Sequence, residues 1–157
     1  NYLAKAERGR QRVAVMFIDL DGFKAINDTW GHDLGDRVLR EIAQRLSGIL
    51  READQIARIG GDEFVILVDD IHNENSVTTV SEKIIHQLEG KMTIKDASFP
   101  PIQVEVSASI GIALFPDHGR NLEQLIKVAD KAMYHVKKSG KDNYYLEKNT
   151  DSDFDKK

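Results

Sequence analysis

Hydrophobic positions in this chain fall into runs of two different periods, and the runs alternate. Val13 to Leu20 (VAVMFIDL) is almost continuously apolar and of strand length, the pattern of a central strand buried on both faces. Phe23 to about Asp28 reads as a short helical turn, broken at Trp30-Gly31-His32. Leu34, Val38, Leu39, Ile42, Leu46 and Ile49 then recur at helical spacing, which predicts a helix from about Leu34 to Leu50. Two strand-like stretches follow, Gln55 to Ile59 and Glu63 to Val68, with Gly60-Gly61-Asp62 between them. They read as a β-hairpin whose glycines supply the positive φ angles of a tight primed turn, with the acids at or next to its tip. Asp69 to Asn75 is polar loop, and Ser76 to Leu88 is an amphipathic helix closed by Gly90.

The second half continues the alternation. Lys91 to Pro101 reads as irregular because Phe99-Pro100-Pro101 bars helix, and Gln103 to Leu114 alternates like one long strand. Pro116 to Arg120 makes a turn, Asn121 caps a helix to about Lys138, Ser139-Gly140 ends it, and Tyr144 to Leu146 forms a short edge strand. Asn1 to about Gln11 reads as the end of a helix, as though the chain begins in mid-element, and residues 149–157 read as a disordered polar tail. The order of elements predicts an α/β (α+β) sandwich over residues 1–148, with a mainly antiparallel sheet flanked by helices.

Composition narrows the partners. At 157 residues and 41% hydrophobic content, one domain with a single substantial core is expected. Lys plus Arg number 22 against 26 Asp plus Glu, so the chain lacks the basic excess of a polymeric nucleic-acid binder. There is no cysteine, which excludes disulfides, thiolate nucleophiles and Cys-ligated zinc and suits a cytoplasmic location. His32, His72, His86, His118 and His135 show no paired spacing for a zinc site. No apolar run approaches the roughly 20 residues needed to span a bilayer, so no membrane contact is expected from this segment.

Chemistry concentrates at strand ends. Adjacent in the sheet, the end of the Val13 to Leu20 strand and the hairpin tip would bring Asp19, with Asp21 nearby, within reach of Asp62 and Glu63. Converging carboxylates repel one another, and a hard divalent cation with oxygen ligands relieves that repulsion. Magnesium fits, and its remaining ligand positions suit the phosphates of a nucleoside triphosphate. An EF-hand reading of Asp19-x-Asp21 fails, because Lys24 stands where that loop needs glycine and Phe23 replaces an oxygen ligand. Asp21 beside Gly22 reads as a cap or turn residue. Lys24 is a point charge suited to phosphate, while Asn27 and Asp36 together match the hydrogen-bonding edge of guanine better than adenine. Each also has an ordinary alternative: Asn27 as a helix-ending residue, Asp36 as a first-turn carboxylate, and Trp30 as packing.

Taken together, Phe23-Lys24-x-x-Asn27-Asp28-x-x-Gly31-His32-x-x-Gly35-Asp36, Arg58-x-Gly60-Gly61-Asp62-Glu63-Phe64, Ser109-x-Gly111-Ile112-Ala113 and Ala129-Asp130-x-Ala132-Met133-Tyr134 resemble a GGDEF domain, the catalytic domain of diguanylate cyclases. The resemblance covers about Val13 to Tyr145. It implies a fold similar to nucleotidyl cyclases and polymerase palms, with the active site at the hairpin tip. It also implies condensation of two GTP molecules to cyclic di-GMP and pyrophosphate across a homodimer. By motif position, Asp19, the Leu20 carbonyl, Asp62 and Glu63 would hold Mg2+, with Mn2+ as a substitute. Phe23, Asn27, His32, Asp36 and Gly61 would bind GTP, with Lys137 and Lys141 on its terminal phosphates. Lys24 would stabilise phosphate charge, and Asp62, assisted by Glu63, would help deprotonate the attacking 3′-hydroxyl. Many relatives carry arginine where Lys141 stands, so the bidentate fork is replaced by a point charge. Arg51-x-x-Asp54 has the spacing of the family's inhibitory product-binding site, although such a pair is often a plain surface ion pair. The Asp-x-Leu-Thr-Gly-Leu segment with which relatives generally begin is missing, so a truncated N-terminus is expected, and a full-length protein anchored through other domains remains compatible.

Overall fold

The structure is a computed structural model that describes Leu3 and residues 11–148, so the expectations for residues 1–10 other than Leu3 and for the tail at 149–157 lie outside the described residues. Its strands are β1 (Arg12–Asp21), β2 (Gln55–Arg58), β3 (Glu63–Ile71), β4 (Lys91–Asp96), β5 (Phe99–Glu105), β6 (Ser107–Phe115) and β7 (Asn143–Leu146). Its helices are α1 (Phe23–Trp30), α2 (His32–Ile49), α3 (Glu74–Leu88) and α4 (Leu122–Lys138). Five strands form one sheet in the order β2-β3-β1-β6-β7, antiparallel except for the parallel β6–β7 pair. This is the expected mainly antiparallel sheet flanked by helices.

β1 lies at the centre because both of its faces are apolar, and each face meets helices. Ala14, Met16, Ile18 and Leu20 pack with Leu34, Val38, Ile42 and Leu46 of α2 and with Val77, Ile84 and Leu88 of α3. Val13, Val15 and Phe17 pack on the other face with Leu125, Ala129 and Met133 of α4, where Leu3 is also buried. The two faces alternate along the strand as the pleat requires. α4 approaches β6 very closely at Gly111, where a Cβ would stand 1.9 Å from the Ala129 carbonyl oxygen and 2.2 Å from the Met133 nitrogen. Asn121 and Asn73 cap α4 and α3 by accepting from the backbone N–H groups of Gln124 and Ser76 at 2.8 and 3.1 Å.

Four local expectations are corrected. Lys91 to Pro101 is not irregular: β4 and β5 form a separate two-stranded ribbon that buries Met92, Ile94 and Val104. Both strands of a ribbon are edges, so Pro100 and Pro101 deprive no central ladder of a donor. Gln103 to Leu114 is not one strand, because the chain leaves the ribbon at Glu105 and enters the main sheet at Ser107. The return strand of the hairpin runs on to Ile71, which pairs with Arg12, instead of giving way to loop at Asp69. Finally, Gly60 and Gly61 do not adopt positive φ. The Ile59 N–H donates to the Glu63 carbonyl at 3.0 Å, so the connection is a wider loop than a two-residue primed turn. The missing Cβ matters differently at Gly60, where it would lie 2.5 Å from Glu63 Oε1.

Candidate active site

Register alone assembles the acidic end of the site. Asp19 on β1 sits opposite Glu63 on β3 and opposite Ser109 on β6. The Leu20 N–H donates to the Asp62 carbonyl at 3.1 Å, fastening the hairpin loop to the end of β1. Asp19, Leu20, Asp62 and Glu63 are thereby brought to one end of the sheet, as the sequence predicts.

The electrostatics are those of a site that wants a cation. Burial pushes the Asp19 carboxyl up to about 6; the Lys137 ammonium at 3.7 Å opposes this, while Asp62, Glu63 and Asp21 add to it. Burial likewise raises Glu63, with Asp62 and Asp130 reinforcing the shift. Asp19 Oδ1 is buried without a hydrogen-bond partner among the described residues. Hard oxygen donors, mutual repulsion and an orphaned carboxylate oxygen together fit a hard divalent ion. Among the described residues no three acidic or histidine side chains gather closely enough to hold a metal by themselves. A donor set of a few carboxylates and a carbonyl leaves positions for water and phosphate oxygens, as magnesium prefers.

Asp21 behaves otherwise. It is 7% exposed, and its Oδ1 accepts from Lys137 Nζ at 2.6 Å and Ser109 Oγ at 2.8 Å, while Oδ2 accepts from Ser107 Oγ at 2.7 Å and the Asp142 N–H at 3.1 Å. Burial alone would raise its pKa, but the bonds from Lys137, Ser107 and Ser109 outweigh it and hold the carboxyl below the usual range. The expected cap or turn role is therefore incomplete: Asp21 joins β1, β6, α4 and the lead into β7.

The other side of the sheet end carries the base-recognition candidates. Gly31, with φ 91°, turns α1 into α2, and its N–H donates to the Asn27 carbonyl at 2.8 Å. At Gly35 a Cβ would stand 1.8 Å from Asn27 Oδ1 and 3.2 Å from Phe23 Cζ, so glycine there lets the Asn27 amide lie against α2 next to Asp36. Asn27 Oδ1 is also buried without a partner among the described residues. A cavity of about 390 Å3 opens between α2 and the hairpin, lined by Asp36, Leu39, Arg40, Ala43, Arg58 and Phe64. That volume is of the size that small-ligand pockets have. Lys24, His32 and Lys141 are exposed around this end of the molecule.

Arg51 and Asp54 form more than a loose surface pair. Asp54 Oδ2 accepts from the Arg51 backbone N–H at 2.9 Å and Oδ1 from the Asp69 N–H at 3.0 Å, leaving its side chain 3% exposed. The guanidinium bonds Asp54 and the Asp69 carbonyl yet stays 58% exposed. A further cavity of about 460 Å3 opens beside it, with Asp70, His72 and Asn73 in its wall.

Ser107 and Asp142 stand in none of the motifs, and Ser109 and Arg58 stand in them with no site role implied for their side chains. The spacing of Ser107 and Ser109, which puts both on one face of β6, is a local signal for the pair, and Ser109 also opens the Ser109-x-Gly111-Ile112-Ala113 motif. Arg58 Nη1 donates to the Gly61 carbonyl at 3.2 Å and braces the loop.

Known proteins resemble this chain in sequence and in fold. The sequence profile described as "Diguanylate cyclase, GGDEF domain" matches residues 1–143. The bifunctional diguanylate cyclase/cyclic di-GMP phosphodiesterase MucR of Pseudomonas aeruginosa is 43% identical over 142 residues, which is 90% of this chain and 20% of MucR. This chain thus spans about a fifth of that relative's length. The solved GGDEF domain of TpbB from Pseudomonas aeruginosa superposes with a TM-score of 0.86 at 38% identity, covering 94% of this chain and 89% of that one. The GGDEF domain of DgcB from Caulobacter crescentus, solved in complex with c-di-GMP, gives 0.80 at 28% identity, covering 92% and 83%. The chain belongs to the family of diguanylate cyclase GGDEF domains.

Proposed function

We propose that this chain condenses two GTP molecules into cyclic di-GMP with release of pyrophosphate, two copies facing each other so that each supplies one GTP. The observation that carries the reading is the register that sets Asp19 opposite Glu63, with Asp62 bonded to Leu20 beside the orphaned Asp19 Oδ1. Asp19, Asp62, Glu63 and the Leu20 carbonyl would hold magnesium or manganese. When bound, that ion neutralises phosphate charge and makes a nearby hydroxyl easier to deprotonate.

The chain's own groups do the rest. Asn27 and Asp36 orient guanine, with Phe23 against Gly35 and His32 at the entry to α2. Lys24, Lys137 and Lys141 hold the phosphates. Asp62 accepts the 3′-hydroxyl proton while the 3′-oxygen bonds the α-phosphorus of the facing GTP and the bond to the β-phosphate oxygen breaks. Pyrophosphate carries the electron pair away, and a second, symmetry-related step closes the ring. Because alignment and charge neutralisation supply most of the acceleration in phosphoryl transfer, a shallow site on two facing domains suffices. Cyclic di-GMP feeds back by docking on the exposed Arg51 guanidinium, which Asp54 holds from beneath.

The deciding experiment incubates the dimerised protein with GTP and Mg2+ and measures cyclic di-GMP. Asp62→Ala is expected to abolish turnover while the fold and GTP binding persist; near-normal turnover removes Asp62 from the site. Absence of product from the wild-type dimer, with GTP bound, favours a second reading: a GTP- or cyclic di-GMP-binding regulatory domain within a longer signalling protein.

A further inference from the structure

We infer that Asp21 is a positioning residue that fixes the cationic arm of the site, acting through Lys137 and through the turn that carries Lys141, and not a metal ligand. The inference rests on the proposed role of those two lysines toward the GTP phosphates.

Both oxygens of Asp21 accept two hydrogen bonds each, so its acceptor sites are filled within the protein. It shares a strand face with Asp19 two residues away, yet Asp19 keeps a buried, unpartnered oxygen and Asp21 keeps none. The two carboxylates have divided roles by hydrogen bonding alone. Lys137 is the link between them: its Nζ lies 2.6 Å from Asp21 and 3.7 Å from Asp19. A lysine has four rotatable side-chain bonds and little preference for one geometry, so an isolated ammonium would sample a wide volume. The charge-assisted bond to a buried carboxylate confines it. Its remaining N–H groups are then held at the end of the sheet where the phosphates arrive.

The second half of the arm is backbone. Gly140, Lys141 and Asp142 adopt φ of 114°, 64° and 50°, three left-handed residues in succession, of which two are not glycine. Such conformations are costly and persist only where surrounding bonds impose them. Two bonds impose this one: the Lys141 N–H donates to the Val136 carbonyl at 3.0 Å, and the Asp142 N–H donates to Asp21 Oδ2. Asp21 therefore holds Lys137 by its side chain and Lys141 by the adjacent peptide. Ser107 and Ser109 lock the carboxylate plane so that both grips face the right way.

The test compares binding of a nonhydrolysable GTP analogue with binding of GMP, in Mg2+ buffer, for wild type, Asp21→Asn, Lys137→Met and the double variant, with thermal unfolding as the fold control. Wild type preferring GTP over GMP establishes the phosphate-binding role on which the inference rests; no preference in wild type overturns that role and the inference with it. With the preference present, Asp21→Asn is expected to weaken GTP binding roughly tenfold or more while leaving GMP within about twofold, since only the charge-assisted contacts to the terminal phosphates are lost. The double variant is expected to lose clearly less than the product of the two single losses, because the Lys137 contact is common to both changes and only the hold on the Lys141 turn is left to lose. Equal weakening of GTP and GMP, or losses that multiply in the double variant, would overturn it. Should Asp21→Asn fail to fold, Ser107→Ala/Ser109→Ala keeps the ion pair and loosens the carboxylate plane. It is expected to lower the GTP-over-GMP ratio, and an unchanged ratio there would also refute the proposal.

Discussion

Replacing Gly35 by alanine should separate stability from nucleotide recognition with a single methyl group. The new Cβ would stand 1.8 Å from Asn27 Oδ1, 3.0 Å from Asn27 Cγ and 3.2 Å from Phe23 Cζ. The Asn27 amide has to retreat by on the order of 1 Å or more, since even hydrogen-bonded heavy atoms keep about 2.7 Å apart. What yields is the end of a flexible side chain whose oxygen has no hydrogen bond to forfeit among the described residues. Alanine meanwhile gains about 1 kcal/mol over glycine in a helix interior, and Gly35 lies inside α2. A shift of a few tenths of an ångström in Phe23 costs about the same again. Net stability should stay within about 1 kcal/mol of wild type, a change of roughly 4 °C or less in Tm for a chain of this length.

Recognition should not survive so well. With Asn27 on guanine as proposed, moving the amide away would leave a polar edge of the base unpaired, at a cost of about 1–3 kcal/mol, or roughly 5- to 150-fold in GTP affinity. Calorimetric titration with GTP, and thermal unfolding of the same samples, read the two quantities separately. GTP affinity within twofold of wild type at unchanged Tm would refute the placement of Asn27 on the base. A stability loss above about 3 kcal/mol would refute the claim that only a side-chain tip gives way.

Two further expectations concern charge. Asp19 has a folded pKa of about 6 against an ordinary 3.8, so the folded state holds the proton more tightly than the unfolded state. In metal-free protein its contribution is fully present below about pH 4 and is lost as pH rises through about 6, a slope bounded by roughly 3 kcal/mol. Asp19→Asn should abolish that slope and be the more stable protein at pH 7 in chelator, measured by urea unfolding across pH; a wild-type slope retained in the variant would contradict the assignment. Arg51→Ala should spare turnover and remove product feedback in an assay with added cyclic di-GMP. Asp54→Ala should in addition lower stability by about 1–3 kcal/mol, because it strands the Arg51 and Asp69 N–H groups. Equal Tm values for the two variants would sink that distinction.

What the sequence reveals here depends on how local the cause is. β1 is legible because seven apolar residues within the eight from Val13 to Leu20 have one comfortable place, the middle of a sheet. Asn121 and Asn73 are legible as caps in principle, though only Asn121 stands out, since polar neighbours conceal where α3 begins. The β4–β5 ribbon is hidden because Pro100 and Pro101 suppress the strand signal, and only the pairing partner reveals that they sit on an edge. Gly60 and Gly61 mislead for a related reason: two adjacent glycines suggest a primed turn, whereas neither has positive φ and only Gly60 is needed small, to make room for the Glu63 side chain. Asp19, Asp62 and Glu63 are found by motif, and register then explains their meeting. Asp21 is not found as a hub, because its four donors come from residues 86 to 121 positions away. No spacing rule reaches that far.

The central position of β1 also sets a hierarchy of opening. It is hydrogen-bonded along both sides, to β3 and β6, so its amides exchange with solvent only when the whole sheet comes apart. β2 is a four-residue edge strand with an exposed surface, paired on one side, and it frays without disturbing the rest. The acidic residues of β1 therefore ride on the slowest-opening part of the molecule. Arg51 and Asp54 lie just ahead of one of the fastest, so an occupant there can quiet the hairpin's outer strand while the strand bearing Asp19 stays as it was.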